Sequence, residues 1–289
     1  MTEIPSIQWF PGHMAKTKRM IKASLPLVDA VVEIIDARIP NSSKNPDLQT
    51  LIEGKPRVVI LNKCDTADET SVRKWISWYN KQGITAIATD CRSGRGVNKF
   101  VPAVKSVLKD MLAKYEAKGM TGRVIHVMVV GIPNVGKSSF INRLAKQKKA
   151  KVEDRPGVTL NKQWVKIADD VELLDMPGVL WPKFEDKTVG ERLAFTGAVK
   201  DDVVDVEALA SRLLYVLNGM YRDTLTSRYK IQTEDEEDGY EILKKVGKSR
   251  GMLISGGEIN TERAAITVLD EFRSGKLGRV TLELPGDGA

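Results

Sequence analysis

"ILNKCD", residues 60–65, closes the run Arg57-Val-Val-Ile-Leu61, which reads as a buried strand, with Asn62-Lys63-Cys64-Asp65. A carboxylate, an amide and a long aliphatic stem in this spacing suit a guanine ring. Asp65 accepts from N1–H and N2–H₂, Asn62 addresses O6 or N7, and the stem of Lys63 lies against the base. Adenine presents the opposite donor and acceptor pattern and would leave Asp65 facing no donor. An unpaired buried polar group of that kind gives discrimination on the order of 10⁴ or more. A nucleotide also needs a phosphate cradle, and the one loop with that character, "GIPNVGKS" (131–138), comes later in the chain.

Working outward, strands and helices alternate on both sides of the box. "DAVVEIIDAR" (29–38) and "ITAIAT" (84–89) read as further strands, while "NPDLQTLIE" and residues 69–83 have helical spacing, the latter closing at Gly83. "WFPGHM" breaks structure at Pro11-Gly12, and "AKTKRMIKASLPLV" begins a basic helix. Residues 97–116 predict one amphipathic helix, and "AKGMTGR" (117–123) a flexible joint. Then "VIHVMVVG" (124–131) is a strand, residues 134–145 open a helix, and "WVKI" and "VELLD" (171–175) are strands. From about Lys187 only helical periodicity remains, in "VEALASRLLYVLNGMY", "EDGYEILKKVG" and "NTERAAITVLDEF". The expected fold is therefore α/β, a doubly wound, mostly parallel sheet over 1–187, followed by a smaller all-α domain over 188–289.

The phosphate loop fits G-x-x-x-x-G-K-[ST] between a strand and a helix, the context that motif requires. Backbone N–H groups across Asn134, Val135, Gly136, Lys137, Ser138 and Ser139 can surround phosphate oxygens. Lys137 supplies the cation for the β and γ phosphates, and Ser138 a hydroxyl for Mg²⁺. In "LLDMPG" (173–178), Asp175 is placed to hold Mg²⁺ through water, and the Gly178 N–H to sense the γ phosphate. In "RPGVT" (155–159), Thr159 is placed to cap Mg²⁺ and the γ phosphate. "TDCRSGRG" (89–96) can offer a backbone N–H to guanine O6, with Asp90 and Cys91 at its start.

Bulk composition agrees with a globular chain: 289 residues, 42% hydrophobic and 29% charged, which excludes wholesale disorder. A net charge of +7 leans toward an anionic partner. The two cysteines, Cys64 and Cys91, form no C-x-x-C pair or Cys/His cluster, so neither a zinc module nor a disulfide scaffold is expected. The opening residues lack the apolar segment of a signal peptide, and no run approaches ~20 apolar residues. A cytoplasmic protein without a membrane partner, and a monomer, is the expectation.

Chain order is no obstacle to one pocket. Ligands of open parallel sheets sit beyond the carboxyl ends of the strands, and a loop need only occupy the right place there. Termini of compact domains lie close together, so a permuted chain is tolerated, with 117–123 as the seam. This motif order resembles the circularly permuted GTPases. "IQWFPGHMAK", "DARIPNSSKNP", "NKCD", "GIPNVGKSSFINRL", "PGVT", "DMPGVLWPK" and "AAITVLDEFRSGKLGRVTLE" together resemble the ribosome biogenesis GTPase A family over nearly the whole chain. The departure is at 90–92, where Asp, Cys and Arg stand in place of the usual Ser, Ala and Lys. The resemblance implies an assembly factor that binds GTP and GDP and hydrolyses GTP on the immature large ribosomal subunit.

Ras-type GTPases carry a glutamine after the D-x-x-G glycine; here that position is Val179, which cannot orient water. His13, beside Pro11-Gly12, is the candidate to do so, as the resemblance also implies; the other reading is packing or RNA contact beside Lys16, Lys18 and Arg19. Asn134 either helps hold a K⁺ ion, as in related K⁺-activated GTPases, or only shapes the turn. His126, within an apolar strand, reads as an ordinary half-buried histidine. Two functional rivals stand: an RNA-binding scaffold ordered by GTP with negligible turnover, and a related permuted GTPase serving the small subunit.

Overall fold

The computed structural model describes residues 12–120, 122–147 and 163–286, and these divide into two units. One holds Pro182–Leu282; the other holds the described residues up to Trp181 and takes back the chain from Glu283 onward. The division thus falls at 181/182, a few residues before the composition changes at 187/188, and the last described residues belong with the sheet.

The sheet unit runs α1 (Gly12–Ser24), β1 (Ala30–Asp36), α2 (Pro46–Leu51), β2 (Arg57–Asn62), α3 (Glu69–Lys81), β3 (Thr85–Thr89), α4 (Phe100–Val107), α5 (Lys109–Ala117), β4 (Ile125–Val130), α6 (Lys137–Gln147), β5 (Gln163–Ala168) and β6 (Val171–Asp175). Strand order is β3-β2-β1-β4-β6-β5; all neighbours are parallel except the β5–β6 hairpin. The β-branched runs that predict strands are the buried ones: every residue of β1 is buried, as a parallel strand covered on both faces must be. Residues 97–116 form two helices, not one, because the ladder breaks at Leu108, which caps α4 and is itself buried. The joint expected after Ala117 lies between α5 and β4, with left-handed Gly119 and Gly122.

Strand β1 is the keystone. It pairs β2 on one side (Asp36↔Asn62) and β4 on the other (Val32↔Val129). Parallel pairing sends the carboxyl ends of β1, β2, β3, β4 and β6 to one edge of the sheet, so Asp36, Asn62, Thr89, Gly131 and Asp175 gather there whatever their order in sequence.

The helical unit consists of α7 (Lys187–Phe195), α8 (Val206–Tyr229), α9 (Gly239–Ser249) and α10 (Thr261–Ser274). Asp205, Asp238 and Asn260 cap α8, α9 and α10 with side-chain oxygens. The acidic run 234–238 thus supplies a cap at its last residue. Leu213, Leu217, Ile242, Val246, Val268 and Phe272 are among its buried core residues. Among the described residues no helix is long and apolar enough to cross a membrane.

Candidate nucleotide-binding site

The guanine box and the phosphate loop meet through one side chain. The Asn62 Nδ2–H donates to the Val135 carbonyl (2.7 Å), across a gap of 73 residues in sequence. Its Oδ1 accepts from the Thr89 hydroxyl (3.0 Å) and from the Cys91 thiol (3.1 Å). Asn62 therefore staples three loops, from β2, β3 and β4. Besides the contact with guanine O6 or N7 expected of it, the buried amide thus has a structural part, with Val135 taking one of its two Nδ2 hydrogens. Gly136 permits the arrangement. It has φ +93°, and a Cβ there would lie 2.4 Å from Asn62 Nδ2.

Cys64, expected within the nucleotide-binding box, turns its side chain into the core. Its thiol is buried in the cluster of Ile35, Leu61, Val72 and Trp75, where burial pushes its pKa up, so it is a packing residue; its N–H donates to the Thr89 carbonyl (3.1 Å). Asp65 remains partly exposed, 4.0 Å from the Arg92 guanidinium. Lys63 sits in the left-handed region (φ 59°) with its ammonium 3.0 Å from Asp36. Burial alone would raise the Asp36 pKa, but Arg38 and Lys63 outweigh it and hold the carboxyl well below the usual range. Arg38 gives Asp36 its Nε (2.9 Å), its Nη2 (2.7 Å) and its backbone N–H (3.0 Å). A buried bidentate pair thus anchors the lysine of the box.

The Asp90 carboxylate is turned into its own loop, accepting from the N–H groups of Arg92 (2.7 Å) and Ser93 (3.2 Å). Burial would raise its pKa, but the Ser93 hydroxyl, which also donates to it, and these two N–H groups hold it down. Burial pushes the Cys91 thiol up to about 12, so it stays a neutral donor to Asn62. Both residues shape the loop whose backbone was expected to meet O6.

On the phosphate side, Lys137 opens α6 and is buried. Its ammonium donates to the carbonyls of Ile132 (2.8 Å) and Gly131 (3.2 Å). Burial pushes its pKa down to about 8, against the pull of Asp175. Ser138 and Ser139 are exposed on the first turn of α6, and Asn134 adopts the left-handed conformation (φ 60°) that asparagine tolerates. Gly178 packs onto the loop: a Cβ there would lie 2.8 Å from the Pro133 nitrogen and 3.0 Å from Lys137 Nζ. Val179 is buried, its N–H donating to Gly131 (3.3 Å) and its carbonyl accepting from Asn45 Nδ2 (2.9 Å). Thr159 lies outside the described residues.

His13 is exposed on the first turn of α1. Its neighbour Met14 is fully buried, and the Met14 sulfur accepts the Leu180 N–H (3.5 Å). The helix that carries His13 is thereby seated on the segment just after Gly178. His126 is half-buried, edge-on to Trp164 and 3.8 Å from Glu172.

Sequence reasoning on the residues overlooked Asp36, Arg38, Asn45 and Thr89. The available signal was a charged pair, Asp36-Ala37-Arg38, at the end of an apolar run, where an unpaired charge would be costly.

A family model described as 50S ribosome-binding GTPase matches residues 126–253, beginning in β4. The ribosome biogenesis GTPase A of Bacillus cereus is 46% identical over 279 residues, covering 96% of this chain and 94% of its own length. The protein of that name from Priestia megaterium is 46% identical over 283 residues, covering 98% of each chain. A solved structure of GNP-bound YlqF from T. maritima is 29% identical, with a TM-score of 0.63, and the match covers 94% of this chain and 99% of that one. With its N-K-x-D box hydrogen-bonded to a phosphate-type loop that follows it in the chain, and with relatives this similar over nearly their full length, the chain belongs to the ribosome biogenesis GTPase A family of circularly permuted GTPases.

Proposed function

We propose that this protein hydrolyses GTP while bound to an immature large ribosomal subunit and promotes a late step of its maturation. The observation that carries the nucleotide part is the Asn62–Val135 bond, which closes guanine box and phosphate loop into one pocket. The names of the relatives and the description of the family model support the ribosomal part.

In this reading Asp65 accepts the guanine N1–H and N2–H₂. The Lys137 ammonium exchanges the carbonyls of Gly131 and Ile132 for β and γ phosphate oxygens, and the Gly178 N–H donates to the γ phosphate. Water attacks the γ phosphorus, the bond to the β–γ bridging oxygen breaks, and GDP, phosphate and a proton leave. Buried, aliphatic Val179 cannot steer that water, and His13, on the helix seated beside Leu180, takes the role.

The donor set fits Mg²⁺. The Ser138 hydroxyl is exposed at the start of α6, and Asp175 ends β6 close enough to Lys137 to perturb it electrostatically. Ser138 would hold Mg²⁺ directly and Asp175 through water, and the ion would neutralise charge developing on the phosphates.

A GTPase assay with and without purified large subunits tests the proposal. The protein alone should turn over slowly, within a few decades of ~10⁻⁴ s⁻¹, the intrinsic rate of unassisted Ras. Large subunits, and not small ones, should accelerate it. His13→Ala should abolish that acceleration and leave GTP affinity nearly intact; undiminished stimulation in this variant removes His13 from the mechanism. Absence of phosphate release under single turnover with subunits would favour a scaffold ordered by GTP, a reading that Val179 supports. Exchanging potassium for sodium in the same assay tests Asn134 as a ligand of K⁺.

A further inference from the structure

We propose that Glu283 is a positioning residue for the γ-phosphate-sensing loop, acting through residues 41–45. The inference rests on the nucleotide reading above and adds to it a regulatory input from the far end of the chain.

Glu283 is fully buried. Its carboxylate accepts both Oε1 and Oε2 bonds from the Ser42 N–H (3.1 and 3.0 Å), and further bonds from the Asn41 N–H and the Ser42 hydroxyl. Its backbone carbonyl accepts from the Trp75 indole (2.9 Å), and Trp75 is itself buried in the core on α3. A buried carboxylate held by these three donors is stable only if they stay in place; the turn 41–42 and the tail therefore fix each other.

The same short loop reaches the catalytic side. Ser43 donates its hydroxyl to the Ile39 carbonyl (2.7 Å) and accepts the Asp36 N–H (3.1 Å). Asn45 caps α2 with its Oδ1, and its Nδ2 holds the Val179 carbonyl (2.9 Å), one residue beyond Gly178. Turn bonds within the loop, Ser43 N–H to the Ile39 carbonyl (2.9 Å) and Lys44 N–H to the Asn41 carbonyl (3.1 Å), tie its two ends together. The Glu283 carboxylate sets one end, and Asn45 transmits the setting to the loop that must meet the γ phosphate. Glu283 also follows directly on Leu282, the last residue of the helical unit, while Thr281 is held inside that unit by the Tyr221 hydroxyl (2.9 and 3.0 Å).

The test compares GDP and a non-hydrolysable GTP analogue by calorimetry on the full-length protein, with single-turnover GTP hydrolysis alongside. Glu283→Gln keeps the volume but sets an amide donor against the Asn41 and Ser42 N–H groups. Asn45→Ser keeps an oxygen that can cap α2 and loses the donor to Val179. Each variant should lose about tenfold in analogue affinity and in turnover, the scale of one charge-assisted or buried bond set, with GDP affinity held within about twofold. Glu283→Asp should recover part of the loss. The double variant should be no worse than either single one, since both cut the same relay. Equal losses for GDP and analogue, additive losses in the double variant, or unchanged discrimination would each overturn the relay. Failure of the wild-type protein to bind any guanine nucleotide would instead defeat the nucleotide reading itself.

Discussion

Replacing Asn62 by Ala removes the staple between the two halves of the pocket, and the structure allows its cost to be worked out. Two well-formed bonds are lost, to the Val135 carbonyl at 2.7 Å and from the Thr89 hydroxyl at 3.0 Å, with a weaker one from the Cys91 thiol. Net, such neutral bonds contribute ~1 kcal/mol each, but Val135 and Thr89 are both buried, and a stranded buried partner costs ~1–3 kcal/mol. The two stranded partners together cost about 2–6 kcal/mol. For a domain of this size, at ~2–4 °C per kcal/mol, that corresponds to a fall of roughly 4–24 °C in the melting temperature of the sheet unit. The lost bond frees the phosphate loop at Val135, so part of the penalty falls on binding. If about half does, GDP affinity drops by about five- to 140-fold at ~1.4 kcal/mol per decade. ADP affinity should stay as poor as before, because Asp65 is untouched. Differential scanning calorimetry and a GDP titration measure both effects. A variant that melts at the wild-type temperature and binds GDP as tightly would refute the claim that Asn62 joins the loops.

Two further outcomes are expected. Lys137 has its pKa pushed down to about 8 in the ligand-free protein by burial, and phosphate oxygens would raise it. Below about pH 8 the ammonium is charged with or without nucleotide, so GDP affinity should be flat through this group. Above it the protein must take up a proton on binding, so affinity should fall by up to about a decade per pH unit, with proton uptake visible when calorimetry is repeated in buffers of different ionisation enthalpy; flat affinity and no uptake at about pH 9 contradict this. The Gly178→Ala variant forces a Cβ to within 2.8 Å of the Pro133 nitrogen and 2.9 Å of its Cα, both backbone atoms. Overpacking of this kind costs ~1–3 kcal/mol, so turnover and GTP-analogue affinity should drop by about ten- to a hundredfold while GDP affinity changes less, and equal loss for both nucleotides would show that Gly178 serves the fold rather than the γ phosphate.

The sequence by itself determined the strands, the helical last third and the presence of the two nucleotide-type motifs. β-branched runs such as 30–36 and 125–130 bury on both faces wherever they fall in the chain, and loops that carry N-K-x-D or G-x-x-x-x-G-K-S do so by local spacing. These are properties of neighbouring residues, and a linear reading recovers them. Only the tertiary structure decided which polar groups hold the loops to one another. Asn62 reads as a base contact in sequence, and the structure adds bonds to Val135, Thr89 and Cys91 that no local spacing announces. Cys64 looks like part of the box and packs in the core. Glu283 looks like a charge near a chain end and is buried under the turn 41–42. A hydrogen bond between residues far apart in sequence leaves no periodic trace, because its partners are chosen by strand order and register. β1, lying between β2 and β4, makes that choice here.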